Sequence, residues 1–128
     1  MKRLARLVLG LAVGAALVGE ASAKQKDGPV LFDVIYLQEG HEAQEAVDYF
    51  EKVSAISKRH GLVRLKTYRI DKALKGVIAQ PTLINLWRMD RPDAMQKMGA
   101  DPEYQRLVPT RDALFDMGRV SILMGAPL

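Results

Sequence analysis

DPEYQRLVPTRDALFDMGRVSILMG, residues 101–125, decides how the chain is built. Asp101 ahead of Pro102 reads as an N-cap followed by proline at the first helical position, and Glu103 places negative charge at the positive end of the helix dipole. Pro109 opens a second helical piece running to Phe115, and Gly118 suits the left-handed residue past a helix end. Arg119 to Met124 then alternates like a half-buried strand. A strand that closes the chain needs earlier strands to pair with, so the rest of the sequence is read for its sheet.

Working backwards, Thr82 to Met89 (TLINLWRM) is a strand entered from Pro81, and Asp90 caps a short helix that opens at Pro92 and ends near Met98 and Gly99. Val63 to Ile70 (VRLKTYRI) alternates apolar and polar residues, as an edge strand protected by its charges does. The segment 71–79, with Lys72, Lys75 and Gly76, is the hairpin loop between these two strands. From His41 to His60 the residues Ala43, Val47, Phe50, Val53 and Ile56 recur at helical spacing. Acidic residues stand early in this run and basic ones late, and Gly61 ends it. Val30 to Leu37 (VLFDVIYL) is apolar on both parities except at Asp33, which marks a central strand.

The order strand, helix, strand, strand, helical segments, strand is the split βαβ, ferredoxin-like arrangement: an α+β fold with one four-stranded antiparallel sheet and helices on one face. Parity assigns Phe32, Val34, Tyr36, Val63, Leu65, Ile84, Leu86, Val120, Ile122 and Met124 to the helix side. The opposite face then carries Asp33, Ile35, Lys66, Tyr68, Asn85, Trp87, Ser121 and Leu123. So large and apolar an uncovered face predicts a homodimer.

Residues 1–23 read as a secretory signal: Lys2, Arg3 and Arg6, then an apolar run from Leu7 to Val18, then Ala21-Ser22-Ala23 at the cleavage point. The run falls short of the roughly 20 residues that cross a bilayer. The expected product is periplasmic or secreted and free of the membrane, with a flexible lead-in at 24–29 and a single domain at 30–128. Losing the signal lowers the formal charge from +4 to about +2, which argues against nucleic acid as a partner. Cys is absent and His41 and His60 are the only histidines, so neither a disulfide framework nor a zinc site of ordinary spacing can be assembled. With no Gly-rich phosphate loop either, nothing points to haem, flavin, metal or nucleotide; no cofactor is expected.

The run PTLINLWRMDRPDAMQKMGADPEYQRLVPTRDALFDMGRVSILMG resembles the small proteins of domain of unknown function family 1330, in the dimeric α+β barrel superfamily. The resemblance rests on the apolar strand Thr82 to Met89, the Asp101-Pro102-Glu103-Tyr104 segment, the Leu107 to Arg111 spacing and the closing strand Val120 to Gly125. Gln80 stands before Pro81 where family members often have Trp, and most members lack an export signal. The resemblance implies the ferredoxin-like fold, a homodimer and a pocket between sheet and helices. Superfamily relatives include cofactor-independent monooxygenases that act on electron-rich aromatic substrates.

Against that background the candidate site residues are few. The family motif points to Tyr104 and Arg111, with Arg111 as anchor for a carboxylate or phenolate; the plainer reading has Tyr104 packing on the sheet and Arg111 in local ion pairs. Asp33, Asn85 and Ser121 share a parity on strands that become neighbours. A carboxylate among apolar neighbours must find partners or have its pKa raised, so Asp33 is a candidate general base and Asn85 a candidate donor. The plainer reading is a satisfied polar cluster or a salt bridge to Lys66 at the dimer face. His41, at the start of the long helix, is a minor catalytic candidate. Tyr36, Tyr68 and Trp87 could line an aromatic pocket. The functional expectation is a small organic ligand bound by an exported dimer, with a monooxygenase-like enzyme or a purely structural dimer as alternatives.

Overall fold

The computed structural model describes residues 28–76 and 79–128. The expected signal, residues 1–23, lies outside the described residues, as do the first four residues of the lead-in. The described chain runs β1 (Val30–Ile35), α1 (Ala43–Arg59), β2 (Leu62–Arg69), β3 (Leu83–Met89), α2 (Ala94–Ala100), α3 (Pro102–Gln105), α4 (Val108–Leu114) and β4 (Ser121–Gly125). The four strands form one antiparallel sheet in the order β2-β3-β1-β4, with the helices on one side, which is the ferredoxin-like α+β architecture.

Helix α1 forms where the apolar period is 3.6. Its N-terminus is closed by a capping box in which the Glu42 N–H donates to the Glu45 carboxylate at 2.7 Å. Gly61, at φ +87°, supplies the left-handed turn into β2. Ala46, Tyr49, Phe50, Val53 and Ile56 are buried and lay this helix across the sheet. Phe115, just past α4, stacks on Phe50 at 5.4 Å and meets Tyr49 edge-on at 5.2 Å, so the end of the helical run is fastened to α1. A second fastening is polar. Asp101 caps α3 through the Glu103 N–H at 2.8 Å while its other oxygen meets His60 at 2.7 Å and Arg59 at 3.1 Å. These contacts, His60 foremost, hold the Asp101 carboxyl down at about 2.

Several local expectations are corrected. Helix α2 begins at Ala94 with Asp93 as its cap residue, because Asp90 is engaged elsewhere: its carboxylate accepts from Arg88 at 2.6 Å and its N–H donates to Gly61 O at 2.7 Å. Gly118 is not left-handed. Helix α4 ends instead through extended Phe115, and Asp116 O accepts from the N–H groups of Arg119 and Val120. Those two residues are thereby used in a turn, which delays β4 to Ser121. Strand β1 stops at Ile35 because Tyr36 and Gln38 bond to the chain around Leu114 to Asp116 instead of to a neighbouring strand.

The largest correction concerns the faces of the sheet. Leu31, Asp33, Ile35, Leu83, Asn85 and Trp87 are buried beneath the helices, whereas Phe32, at 41% exposure, Val34, Val63, Ile84 and Leu86 belong to the open face with Tyr68 and Leu123. Parity says which residues share a face; it does not say which face the helices cover when both are apolar. Ile122 is the β4 residue opposite Asp33, so Ser121, opposite Val34, points away from it. In β2 a bulge at Leu65 leaves Arg64 opposite Trp87 and Lys66 opposite Leu86, reversing the alternation from there on. Lys66 thus lies on the far side of the sheet from Asp33.

Two measurements check this packing. Phe115→Ala, which empties a site only 1% exposed, is expected to cost about 3–5 kcal/mol in denaturant unfolding. Asp101→Asn is expected to lower the melting temperature above about pH 4, and the gap to the native chain should close as pH falls toward 2. A carboxyl whose folded pKa is depressed stabilises above its unfolded value and loses that contribution as it is protonated in the native state.

Candidate functional site

Between the helix side of the sheet, α1 and the run α2 to α4 lies a cavity of about 130 Å³. A cavity of about 150 Å³ in another protein core admits benzene, so this one has room for a single ring. Leu31, Ile35, Trp87, Phe50 and Phe115 make its walls apolar. Met95, Met117 and Ile122 are the lining residues most open to solvent, at 38%, 42% and 51%, and they mark its mouth. Four polar side chains reach this apolar space: Asp33, Tyr49, Tyr104 and Arg111.

Asp33 is placed by the register of the central strands. It stands opposite Asn85 on β3, which stands opposite Thr67 on β2, so three polar residues form one rung across the sheet. The Asn85 amide donates to Asp33 Oδ2 at 3.1 Å, the Thr67 hydroxyl to Asn85 Oδ1 at 2.6 Å, and Arg64 Nη1 to Thr67 Oγ1 at 2.6 Å. Arg64 is itself held by Ser54 of α1, through Nε at 2.7 Å. Burial pushes the Asp33 carboxyl above its usual range, and hydrogen bonding from Asn85 and the neighbouring Trp87 indole opposes that rise in part.

The other polar groups come from the helices. Arg111 of α4 donates from Nη1 to the Tyr104 hydroxyl of α3 at 3.1 Å and bonds Asp112 through Nε at 3.0 Å. Tyr49 projects from α1, and its phenol is pushed well above the ordinary range, first by burial and then by the adjacent Tyr104 phenol. It is therefore a neutral donor across the working pH range. The cavity thus carries a carboxyl with a raised pKa on its sheet side and, on its helix side, a guanidinium and two phenols.

The sequence-derived residues divide cleanly. Asp33, Trp87, Tyr104 and Arg111 line this one cavity. Asn85 does not reach it: the side chain is fully buried and both ends of its amide are engaged. His41 lies at the exposed start of α1 with Nδ1 3.2 Å from Glu45, outside the cavity. Tyr36 and Tyr68 are also outside, which corrects the expected aromatic trio. The Tyr36 hydroxyl donates to Ala79 O at 3.2 Å and its ring lies under the Arg119 guanidinium, while Tyr68 sits on the open face. Tyr49, Arg64 and Thr67 were not anticipated. Tyr49 carries a signal, a polar-tipped residue between Ala46 and Phe50 on the apolar stripe; the other two depend on a bulge that leaves no mark in the residue pattern. Among the described residues no cluster of His, Asp or Glu could hold a metal ion, and no helix is long and apolar enough to cross a membrane.

No protein-family model matches the chain, and no curated protein matches it in sequence. Solved structures do match in fold. A protein of unknown function from Rhodopseudomonas palustris superposes with a TM-score of 0.63 at 16% identity, covering 88% of this chain and 92% of that one. A DABB family protein with a ferredoxin-like fold from Mesorhizobium loti gives 0.55 at 13% identity, over 78% and 96%. A dimeric protein of unknown function and ferredoxin-like fold from Bacteroides fragilis gives 0.51 at 7% identity, over 77% and 95%. At these identities the likeness establishes the fold alone.

The buried carboxyl gives a direct test of the site's electrostatics. Because its folded pKa is raised, Asp33 binds a proton more readily in the native chain than in the unfolded one, so stability falls as pH climbs through the folded pKa. Asp33→Asn removes that loss. Melting curves are expected to place this variant above the native chain near pH 8, with the advantage shrinking toward pH 4.

Proposed function

We propose that the chain is an exported homodimer that binds a small, single-ring organic molecule in the cavity between sheet and helices. The observation that carries this reading is the convergence of Asp33, Tyr49, Tyr104 and Arg111 on a space otherwise walled by apolar side chains. Ligand sites characteristically combine apolar walls with a few placed polar groups. Arg111, braced by Tyr104, meets a carboxylate or phenolate oxygen, and Asp33 accepts from a donor of the ligand.

Support for the dimer comes from the open sheet face, where Phe32, Tyr68 and Leu123 are 41–58% exposed, and from the similar Bacteroides fragilis structure, which is described as dimeric. The basic start, apolar run and Ala21-Ser22-Ala23 support export to the periplasm or beyond. The likeness of residues 81–125 to family 1330 supports a place among the dimeric α+β barrels.

The Asp33 carboxyl favours a second reading, an enzyme. A base with a raised pKa in a dry pocket can take the proton of a phenolic O–H, and Arg111 with Tyr104 can hold the oxygen that becomes negative. That chemistry fits a cofactor-independent monooxygenase acting on an electron-rich aromatic compound. Asn85 serves there by holding Asp33, since its own side chain is fully buried and does not line the cavity.

Thermal shift and calorimetry with single-ring phenols, benzoates and short aliphatic carboxylates test binding. At least one class is expected to raise the melting temperature. Arg111→Met and Tyr104→Phe are expected to weaken that ligand about tenfold, the scale of one lost hydrogen bond to a charged group. A native chain that no compound stabilises overturns the binding reading. Dioxygen uptake in the presence of a bound phenol separates the enzyme from the carrier, and light scattering at twice the monomer mass is expected for the dimer.

A further inference from the structure

We infer that Arg64 and Thr67, neither of which reaches the cavity, set the hydrogen-bonding polarity of its sheet side. They oblige the Asn85 amide to donate to Asp33, and so direct the site toward single-ring compounds that carry an O–H or N–H donor. The inference rests on the small-molecule reading for its ligand class; its structural half stands on the hydrogen bonds alone.

The polarity follows from what each group can do. A guanidinium only donates, so Thr67 Oγ1, 2.6 Å from Arg64 Nη1, is an acceptor there. A hydroxyl has one proton, and with the guanidinium as its donor Thr67 sends that proton onward to the Asn85 atom 2.6 Å away. That atom is the amide oxygen, which takes the one proton the hydroxyl can give. The amide NH2 is then turned to Asp33, at 3.1 Å, and Asp33 Oδ2 must accept. Every dipole in the file points the same way, from a cation toward a carboxylate, which favours the ionised acid and opposes its burial.

The remaining groups around Asp33 do not undo this. Tyr49 of α1 lies near enough to feel its charge, while Tyr104 of α3 and Arg111 of α4 line the same cavity; Trp87, on β3 with Asn85, donates to it as well, and its β4 neighbour is the uncharged Ile122. An ionised Asp33 only accepts, so a ligand group placed against it must donate. A ring bearing only acceptors at that end would set lone pairs against lone pairs inside an apolar cavity, which is costly. The arrangement exists because of the Leu65 bulge. Arg64 and Thr67 are three residues apart, an odd spacing that an unbroken strand would send to opposite faces.

Thr67→Val removes the hydroxyl and keeps the shape, freeing Asn85 to turn its oxygen toward Asp33 and favour the protonated acid. In ligand-free protein, the 13C NMR titration midpoint of the Asp33 carboxyl is expected to rise by about half a unit or more. Thr67→Ser, which keeps the hydroxyl, is expected to leave it in place. Binding of phenol over anisole, two rings that differ in the donor, is expected to favour phenol in the native chain and to narrow at least about threefold in Thr67→Val. Should Thr67→Val fold poorly, Arg64→Met breaks the same file from its half-exposed end and is expected to raise the midpoint likewise. A midpoint unmoved in both variants overturns the inference. If neither phenol nor anisole binds the native chain, the donor-bearing ligand class falls while the wider small-molecule reading is decided by the benzoates and carboxylates, and the midpoint still decides whether Arg64 and Thr67 govern Asp33.

Discussion

A carboxyl taken out of water must be given donors or be neutralised, and Asp33 sits at the balance between the two. It is 8% exposed on a central strand, among apolar side chains, beneath the helical layer. What keeps it compatible with that place is the rung it forms with Asn85 and Thr67 across three strands, closed at the far end by Arg64. The rung requires the β1–β3 register and the β2 bulge together. A one-residue slip in either pairing would leave a buried acid without its partner, so the polar rung also specifies the register.

Above that rung the helices supply the complementary half of the site. Tyr49 reaches down from α1 because it lies on the same stripe as Ala46, Phe50 and Val53, and the fastening of Phe115 to Phe50 brings α4, with Arg111, over the sheet. Tyr104 and Arg111 come from separate short helices yet share a hydrogen bond. They meet because Asp101 ties α3 to the end of α1. The cavity is what remains when a long helix and several short ones cover one sheet face with methionines at the seam. Those flexible side chains fill irregular space without closing it.

Much of this was readable from residues alone, and for a clear reason. Helix caps, turn prolines and apolar periods are local signals, so His41 to His60 with its stop at Gly61, Asp101-Pro102 and the alternating strands stood out, and element order then implied the ferredoxin-like sheet. Tyr104, Arg111 and Asp33 were singled out because motif and charge are written in the sequence. That Asp33 shares a cavity with Tyr104 and Arg111 was not, because it depends on which side of a doubly apolar strand the helices cover.

The sequence by itself determined the strands and helices, their order and the chemical types available for a site, since these rest on interactions within a few residues. The tertiary structure decided that Leu31, Asp33 and Ile35, not Phe32 and Val34, face inward, that Ser121 turns away, and that Arg64 and Thr67 share a face across an inserted Leu65. Each of those outcomes is a matter of pairing between distant strands. Such pairing is selected by the best total burial and the fewest unsatisfied polar groups, a sum over the whole molecule that no single stretch of residues contains.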